Sequence, residues 1–557
     1  MTRPIDLMRE GRKEELWQMC CGFLDLSLEQ FMTIQTRLLE EQIELLKRCE
    51  MGRRVMGGAM PETVEEFREQ VPLTTYSDYL PELVERREDV LPMKPVIWAH
   101  TPGRAGEYTI KLVPISERLL CEYERVAGGV GLLASCNSQG DFLAKQHLRT
   151  LAPAGSRYYG SGIVGHMAQQ ALGCELLPGN TNNHMTYDER LKAGFEEALS
   201  GGLDALGGLT SILAYLGEAF RQGIISVDTR FLLSHPTAFA RLTRGLIKSK
   251  LARRPMLPKD LWSIKVALGG GTDSGFFEKR VEELWGRRPL ELYTGIDGGI
   301  YATQTWDYEN LTFIPDLNFF EFIPEWEWFK WRLDSSYQPK TILLDEVKAG
   351  ENYEIVITNL HGGILTRYRI GDTISITSLR NEKLGIDIPQ MAFHGRADDL
   401  IDISGFGRLT ERIIWEAIEN TGIPYIDWTA RKETASDRVA LHIYVELRDN
   451  YIASEQSIAA AIHDQLKRLS SRYHYNVYKV FGDMPSALRL TKPVEVTLLP
   501  QGAFSHYTSE RRADGVDIGQ VRPPHTNPSD EVLASLQTPK VVVAAAPATR
   551  SERLAPR

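Results

Sequence analysis

The sequence predicts an α/β protein of two domains, a large N-terminal one and a small α+β C-terminal one. Three observations carry that reading. Short β-rich runs alternate with helical stretches from about residue 95 to 394, the pattern of strands layered between helices. A polar, Gly-punctuated string, HGRADDLIDISGFGRLT, interrupts the alternation from His394. Beyond it stands a separate set of strands and helices closed by VEVTLLP (494–500). A chain of 557 residues also exceeds the roughly 100–200 residues of one domain.

Taken in order, residues 13–50 read as helical. Apolar positions recur at helical spacing through FLDLSLEQFMTIQTRLLEEQIELLKRC, with Glu, Lys and Arg between them. Residues 1–60 are therefore expected as helices packed on the large domain, an oligomerisation surface being the other reading. The large domain is placed at 61–394. Within it, LSGGLDALGGLTSILAYLGEAF (199–220) reads as a buried Gly-rich turn and helix. Asp204 and Glu218 interrupt the ~18–20 apolar residues a membrane span needs. WSIKVALGGG (262–271) is a β-like run ending in three glycines, followed by the helical FFEKRVEELWG. LELYTGIDGG (290–299) is another run into a glycine turn. YEIVITNL (353–360) alternates in period two, and a turn at His361–Gly363 leads into ILTRYRIGD (364–372) and TISITSL. The C-terminal domain is placed at 395–530, with helix ERIIWEAIENTG, strand ALHIYVEL (440–447), a helix around 454–470 and the closing strand. Residues 531–557 have no amphipathic period and are expected to be disordered.

Composition narrows the class. With 43% hydrophobic and 25% charged residues the chain has ample material for a core. Its net charge of -10, with basic residues dispersed among acidic ones, argues against a nucleic-acid partner. No membrane partner is expected. Cys20, Cys21, Cys49, Cys121, Cys136 and Cys174 form no CxxC pair and follow a charged N-terminus, the usage of a reducing cytoplasm. The histidines show no metal spacing, so no zinc site is assigned.

Four strings can carry chemistry. HTPGRAGEYTIKLVPIS (100–116) sets Gly103 and Gly106 around a turn where a phosphate can approach backbone N–H groups, with Arg104 and Lys111 supplying charge. Taken alone, it reads as a surface turn between two strands. LYTGIDGGIYATQ (292–304) places Tyr293 and Asp297 at a strand end, where open α/β sheets form their ligand crevice. Tyr293 could stack on a purine and Asp297 could ligate Mg2+ through oxygen; a β-turn with an Asp chosen for turn chemistry reads equally well. In TRYRIGDTI (366–374), Asp372 has two acceptor oxygens for ribose hydroxyls and Arg369 can offset anionic charge. In FHGRADDLIDISGFGRLTERI (393–413), Gly395, Arg396, Asp398 and Asp399 make a polar junction, either a hinge or a plain linker.

In this order and at these separations the four strings resemble the adenylate-forming superfamily, and within it the auxin-responsive-promoter (Gretchen Hagen) family of acyl-acid amido synthetases, in its bacterial branch. VPLTTYSDYLPEL (71–83), VALGGGTDSGFF (266–277) and GAFSHYTSERRADGVDIGQVRPPH (502–525) are also similar to that family. The resemblance implies an adenylate-forming fold whose small C-terminal lid closes over ATP. It places Gly103, Arg104, Gly106 and Lys111 on the phosphate loop, Gly270, Gly271 and Thr272 on the adenine side, and Tyr293 against the base. Asp297 falls on the Mg2+ acid, Asp372 on the ribose acid, Arg396 on the hinge and Arg522 on the catalytic cation of the lid. The chain departs from the family at three points. Pro102, Arg104 and Ala105 interrupt a loop usually rich in hydroxyls. Asp297 stands for a Glu, and Arg522 for a Lys.

The activity so implied is activation of a small carboxylic acid by ATP and Mg2+ to an acyl-adenylate, then transfer to an amine, an amino acid, to form an amide. An acyl–coenzyme A ligase and a non-catalytic binding member of the family are the alternative readings.

Overall fold

The computed structural model describes residues 2–102, 110–151, 167, 169–179, 187–223, 229–271, 274–333, 337–396, 401–403, 407–409, 411–435, 438–448, 451–472, 494–513 and 523–537. The chain divides into two compact units. One comprises Met1–Thr410 with Lys467–Thr491, the other Glu411–Leu466 with Lys492–Arg557.

In the first unit, β1 (Pro95–Pro102) and β2 (Ile110–Ser116) pair antiparallel. A short hairpin of β3 (Cys136–Ser138) and β4 (Asp141–Phe142) follows. The main sheet begins with β5 (Arg149–Leu151), β6 (Glu175–Leu177), β7 (Ala205–Leu209), β8 (Val266–Gly270) and β9 (Leu290–Gly295). It continues through β10 (Gly299–Thr303), β11 (Leu311–Phe313), β12 (Asn318–Pro324), β13 (Asn352–Asn359), β14 (Tyr368–Ser378) and β15 (Gln390–Arg396). Their spatial order is β12-β13-β14-β15-β11-β10-β9-β8-β7-β5-β6. Strands β5 to β9 run parallel, linked by helices such as Tyr187–Gly201, Thr210–Arg221 and Ser274–Trp285. The rest of the sheet pairs antiparallel. A carboxyl edge of parallel strands therefore meets an antiparallel half at β9–β10.

The N-terminal helical run is two helices, Lys13–Cys21 and Leu28–Lys47, split by a 3-10 turn. Ser27 ends the interruption: its hydroxyl accepts from the Gln30 N–H at 3.2 Å, and Gln30 accepts from the Ser27 N–H at 2.9 Å, a capping box. The longer helix buries Phe31, Leu38, Leu39, Ile43 and Leu46 in the main core. Two buried glutamines on that face pin it to the sheet. Gln35 donates to Asn318 O (2.7 Å) and accepts from Phe320 N (2.9 Å), while Gln42 donates to Gly363 O and accepts from Gly362 N, both at 2.8 Å. Spaced seven residues apart, they project from one side of the helix. These helices belong to the first unit.

Three sequence expectations change. The string 199–220 contains a strand as well as a turn and helix: ALGGL is β7, held parallel between β5 and β8. Its glycines depress intrinsic strand preference, and pairing with a strand on each side overrides it. The polar segment after 395 yields a hairpin of β16 (Ile401–Ile403) and β17 (Gly407–Leu409) inside the first unit, and the second unit opens at Glu411. That unit carries helix Glu411–Glu419 and the sheet of β18 (Tyr425–Ala435), β19 (Arg438–Leu447) and β20 (Val494–Leu498). Regular structure also extends into the expected tail: helix Asp530–Gln537 buries Leu533 and Leu536 beside Phe504 and Tyr507. Two apolar residues three apart suffice where a core awaits them.

Strand β12 is buried at every position, Asn318 and Glu321 included, so its polar groups must find partners inside. Glu321 receives the Arg367 guanidinium on both oxygens, at 2.8 and 3.0 Å. Arg367 also donates to Arg68 O at 2.6 Å, and holds a left-handed φ of 43° that non-glycine residues rarely adopt. Replacing Arg367 by Met leaves buried Glu321 with only the more distant Arg68 guanidinium at 3.8 Å and the Thr341 hydroxyl at 2.6 Å, and should cost about 3 kcal/mol in urea unfolding. The double variant Arg367→Met/Glu321→Leu should recover most of that loss.

His361, in the turn after β13, donates from Nε2 to Asp316 O at 2.7 Å. Its Nδ1 is buried with no hydrogen-bond partner among the described residues. Burial pushes the imidazole pKa down. A group depressed in the folded state takes up its proton first in the unfolded chain. Stability is therefore full above the ordinary imidazole value of about 6.5 and falls as pH drops through it. Unfolding midpoints measured from pH 8 to 5 should fall more steeply in the native chain than in His361→Asn, which tolerates the same positive φ.

Candidate active site

The site is built where β2, the β9–β10 hairpin and the start of β14 meet. Lys111, the second residue of β2, is buried, and its ammonium contacts Asp297 Oδ2 at 2.5 Å. Two tyrosine rings flank it, with centroids 4.7 Å (Tyr368) and 5.4 Å (Tyr76) from Nζ, within cation–π range. Tyr76 is held there by its hydroxyl, which donates to Leu112 O (2.9 Å) and accepts from Leu112 N (2.6 Å). The backbone around Thr74 bonds β14 on both sides of Tyr368, through Thr74 N to Arg367 O and Arg369 N to Thr74 O, each 2.9 Å. The strings VPLTTYSDY and TRYRIGD, almost 300 residues apart in the chain, thus form one wall.

Asp297 lies at the tip of a hairpin, where a turn aspartate is ordinarily solvated, yet it is only 8% exposed. Asn359 Nδ2 donates to Asp297 O (2.8 Å) and to Asn318 Oδ1 (2.9 Å), and Asn318 Nδ2 donates to Gly298 O (2.7 Å). Asn318 and Asn359 are register partners across β12 and β13, so the sheet itself fixes the turn. On the other side Gly299, at φ 76°, leaves room for Tyr123: a Cβ there would stand 2.5 Å from the ring. Burial, and then the Asp297 charge, push the Tyr123 phenol upward, keeping it neutral. Asp297 Oδ1 is buried and has no hydrogen-bond partner among the described residues. A hard oxygen without a donor fits a cation such as Mg2+, which takes one or two carboxylates and fills its remaining positions with water and phosphate oxygens. Among the described residues no cluster of three or more His, Cys, Asp or Glu side chains offers a self-sufficient metal cage.

Four residues before Asp297, the Tyr293 hydroxyl donates to Asp372 Oδ2 at 2.8 Å. Both side chains are buried, and the Tyr293 ring packs on Tyr301 (4.9 Å) and Phe393 (6.1 Å). Tyr293 thus orients Asp372, a role that its string did not suggest. Gly270 ends β8 one strand away, register partner of Leu292, and Gly271 follows at φ 108°. Helices Thr210–Arg221 and Ser274–Trp285 begin at the same edge, their first residues joined by a 2.7 Å hydroxyl contact. Two helix N-termini there put partial positive charge where an anion would bind.

Arg369 is placed differently from a free cation facing an anion. Its guanidinium grips Glu354 on both oxygens, at 2.8 and 2.7 Å, and stacks on Trp331 at 4.0 Å. The cross-strand carboxylate that neutralises it is invisible in the local string. Arg396 ends β15 as the register partner of Asp372. Gly103, Arg104, Gly106, Thr272 and Arg522 lie outside the described residues.

Comparison with known proteins follows this geometry. Residues 21–132 match the GH3 family N-terminal domain and residues 311–396 the GH3 family central domain. The chain is thus similar to the GH3 family in two separate stretches. Lys111 falls in the N-terminal match and Arg369, Asp372 and Arg396 in the central one, whereas Gly270, Tyr293 and Asp297 lie between them. A 4-substituted benzoates–glutamate ligase of Arabidopsis thaliana (GH3.12) is 26% identical over 240 residues, 41% of this chain and 38% of that protein. A jasmonoyl–L-amino acid synthetase of Nicotiana attenuata (JAR4) is 33% identical over 150 residues, 26% of this chain and 23% of that protein. The matched stretch thus spans less than two fifths of either relative. A solved 2-hydroxyisobutyryl-CoA ligase, in complex with 2-HIB-AMP and CoA, shares the fold: TM-score 0.52, 15% identity, 86% of this chain and 88% of that one.

The sequence by itself does not single out Tyr76, Tyr368, Asn318 and Asn359. The two tyrosines sit in quoted strings, but their shared lysine shows only in three dimensions. Lys111 and Asp297 should prove energetically coupled. Lys111→Met should destabilise by about 3–5 kcal/mol through the stranded carboxylate, and Lys111→Met/Asp297→Asn by clearly less than the sum of the two singles in a double-mutant cycle of urea unfolding. Additive costs would show that they do not act as a pair.

Proposed function

We propose that this chain activates a small carboxylic acid with ATP as an acyl-adenylate and transfers the acyl group to an amine, an amino acid, to form an amide. The observation that carries the reading is the buried Lys111–Asp297 contact with one carboxylate oxygen left over, beside the Tyr293–Asp372 hydrogen bond. The similarity to GH3 ligases and synthetases supports it.

A carboxylate acylates poorly because its leaving group would be oxide. In the first step one oxygen of the substrate acid attacks the α-phosphorus of ATP, the bond to the β-phosphate bridging oxygen breaks, and pyrophosphate leaves. Both reactants are anions, so the protein's task is alignment and charge compensation. Lys111 provides a positive charge held between two aromatic faces, where low polarity strengthens its field. Asp372, oriented by Tyr293, offers its oxygens to the ribose hydroxyls. Asp297 would hold Mg2+, which when bound supplies neutralising charge to the phosphates. Gly270 and Gly271, lacking side chains, leave the carboxyl edge of β8 open to a flat base. In the second step the amine attacks the acyl carbonyl, AMP departs with the former carboxylate oxygen, and the amine loses a proton.

Asp297→Ala should lower acid-dependent pyrophosphate release by about 10²–10³-fold, the usual loss on removing a charge-organising group, with the circular dichroism spectrum retained. Undiminished release would remove Asp297 from the site. In the same assay a panel of amino acids set against coenzyme A identifies the acceptor; amide formation is expected, and thioester formation would replace this reading with that of a coenzyme A ligase.

A further inference from the structure

Helix Pro236–Leu251 is amphipathic the wrong way round for a globular domain. Its inward face consists of Ala238, Gly245 and Ser249, small residues spaced seven and four apart. The packing is tight: a Cβ on Gly245 would stand 2.4 Å from the Leu261 side chain. Four of its five large apolar residues point outward, Leu242 being half-buried, with Phe239 59% exposed, Leu246 48%, Ile247 56% and Leu251 80%. Leu233, on the preceding helix Thr229–Ser234, is 84% exposed. Single exposed apolar side chains are ordinary, but four on one helix with a fifth beside them mark an interaction surface.

The charge of this segment differs from that of the rest of the chain. From Thr229 to Lys259 there is no Asp or Glu, while Arg230, Arg241, Arg244, Lys248, Lys250, Arg253, Arg254 and Lys259 are all cationic, in a protein whose net charge is -10. Arg254 is engaged by Asp260 and Arg241 donates to the Ala198 carbonyl, but Arg244, Lys248, Lys250 and Arg253 are exposed. On a helical wheel of 100° per residue the apolar stripe is flanked on one side by Arg244 and Lys248, and Lys250 lies within it.

We propose that this helix lies in the surface of an anionic lipid bilayer. Bulky apolar residues along a helix about 24 Å long, flanked by cations and free of acids, match the requirements of an interfacial helix: an apolar face reaching the acyl boundary and cations at the headgroups. A second copy of the chain fits less well, because an isologous pairing of this face would bring the two cationic segments together. Among the described residues no helix is long and apolar enough to cross a membrane. The expectation of no membrane partner rested on that length requirement, which a helix lying flat escapes.

The test is flotation of the full chain with phosphatidylcholine vesicles, with and without phosphatidylglycerol. Binding is expected only to the anionic vesicles, weakening as salt is raised. Phe239→Ser/Ile247→Ser and Arg244→Glu/Lys248→Glu each change exposed positions away from the proposed active site, and each should lower the partition coefficient at least about tenfold. Absence of binding by the native chain overturns the proposal without reference to any variant. Undiminished binding by the serine variant also overturns it, since charge alone would then explain adsorption. A concentration-dependent dimer that the serine variant dissolves, with no flotation, would assign the face to a second copy instead.

Discussion

The arrangement of the first unit turns on one buried ion pair, Lys111 with Asp297, formed across 186 residues of sequence. Neither charge is tolerable alone at that depth, because desolvation of an isolated ammonium or carboxylate costs several kcal/mol. Each therefore constrains where the other's backbone can go. The pair draws the β1–β2 hairpin to the tip of β9–β10, at the point where the parallel half of the sheet gives way to the antiparallel half.

Comparison with the other buried pairs explains why this one is read as chemical and the others as structural. Glu321 and Glu354 each receive a guanidinium on both oxygens, from Arg367 and Arg369. Such carboxylates have little capacity left for a ligand, and they tie neighbouring strands together. Asp297 meets a lysine, a point charge rather than a fork, and one of its oxygens stays without a donor among the described residues. The asparagine ladder of β12 and β13 and the ring of Tyr123 hold that oxygen in place. A buried acceptor left unsatisfied in this way costs stability, which is reasonable only where something other than stability is being served.

Much of the architecture could be read along the chain. YEIVITNL and VALGGG announce strands by alternation and by a short apolar run, and Ser27 with Gln30 marks a helix start. ALGGL was harder, since its glycines weaken the local signal and only the flanking strands make it β7. In the proposed site the acids and the lysine are legible along the chain, and the scaffolding is not. Asp297, Asp372, Tyr293 and Lys111 stand in strings whose residue types suit phosphate and ribose, and the fold brings them together. Arg369 looked equally suited, and is occupied by a glutamate fifteen residues away on the neighbouring strand.

By itself, then, the sequence determined the α/β class, the helical N-terminus, the separate C-terminal unit and the inventory of chemically capable residues, because these follow from periodicity, turn chemistry and side-chain type, all of them local. Only the tertiary structure decided which charges are paired off and which keep an open valence, that Tyr76 and Tyr368 share one ammonium, and that Phe239 and Ile247 face outward. Those outcomes depend on which distant strands become neighbours and on how much water is excluded between them.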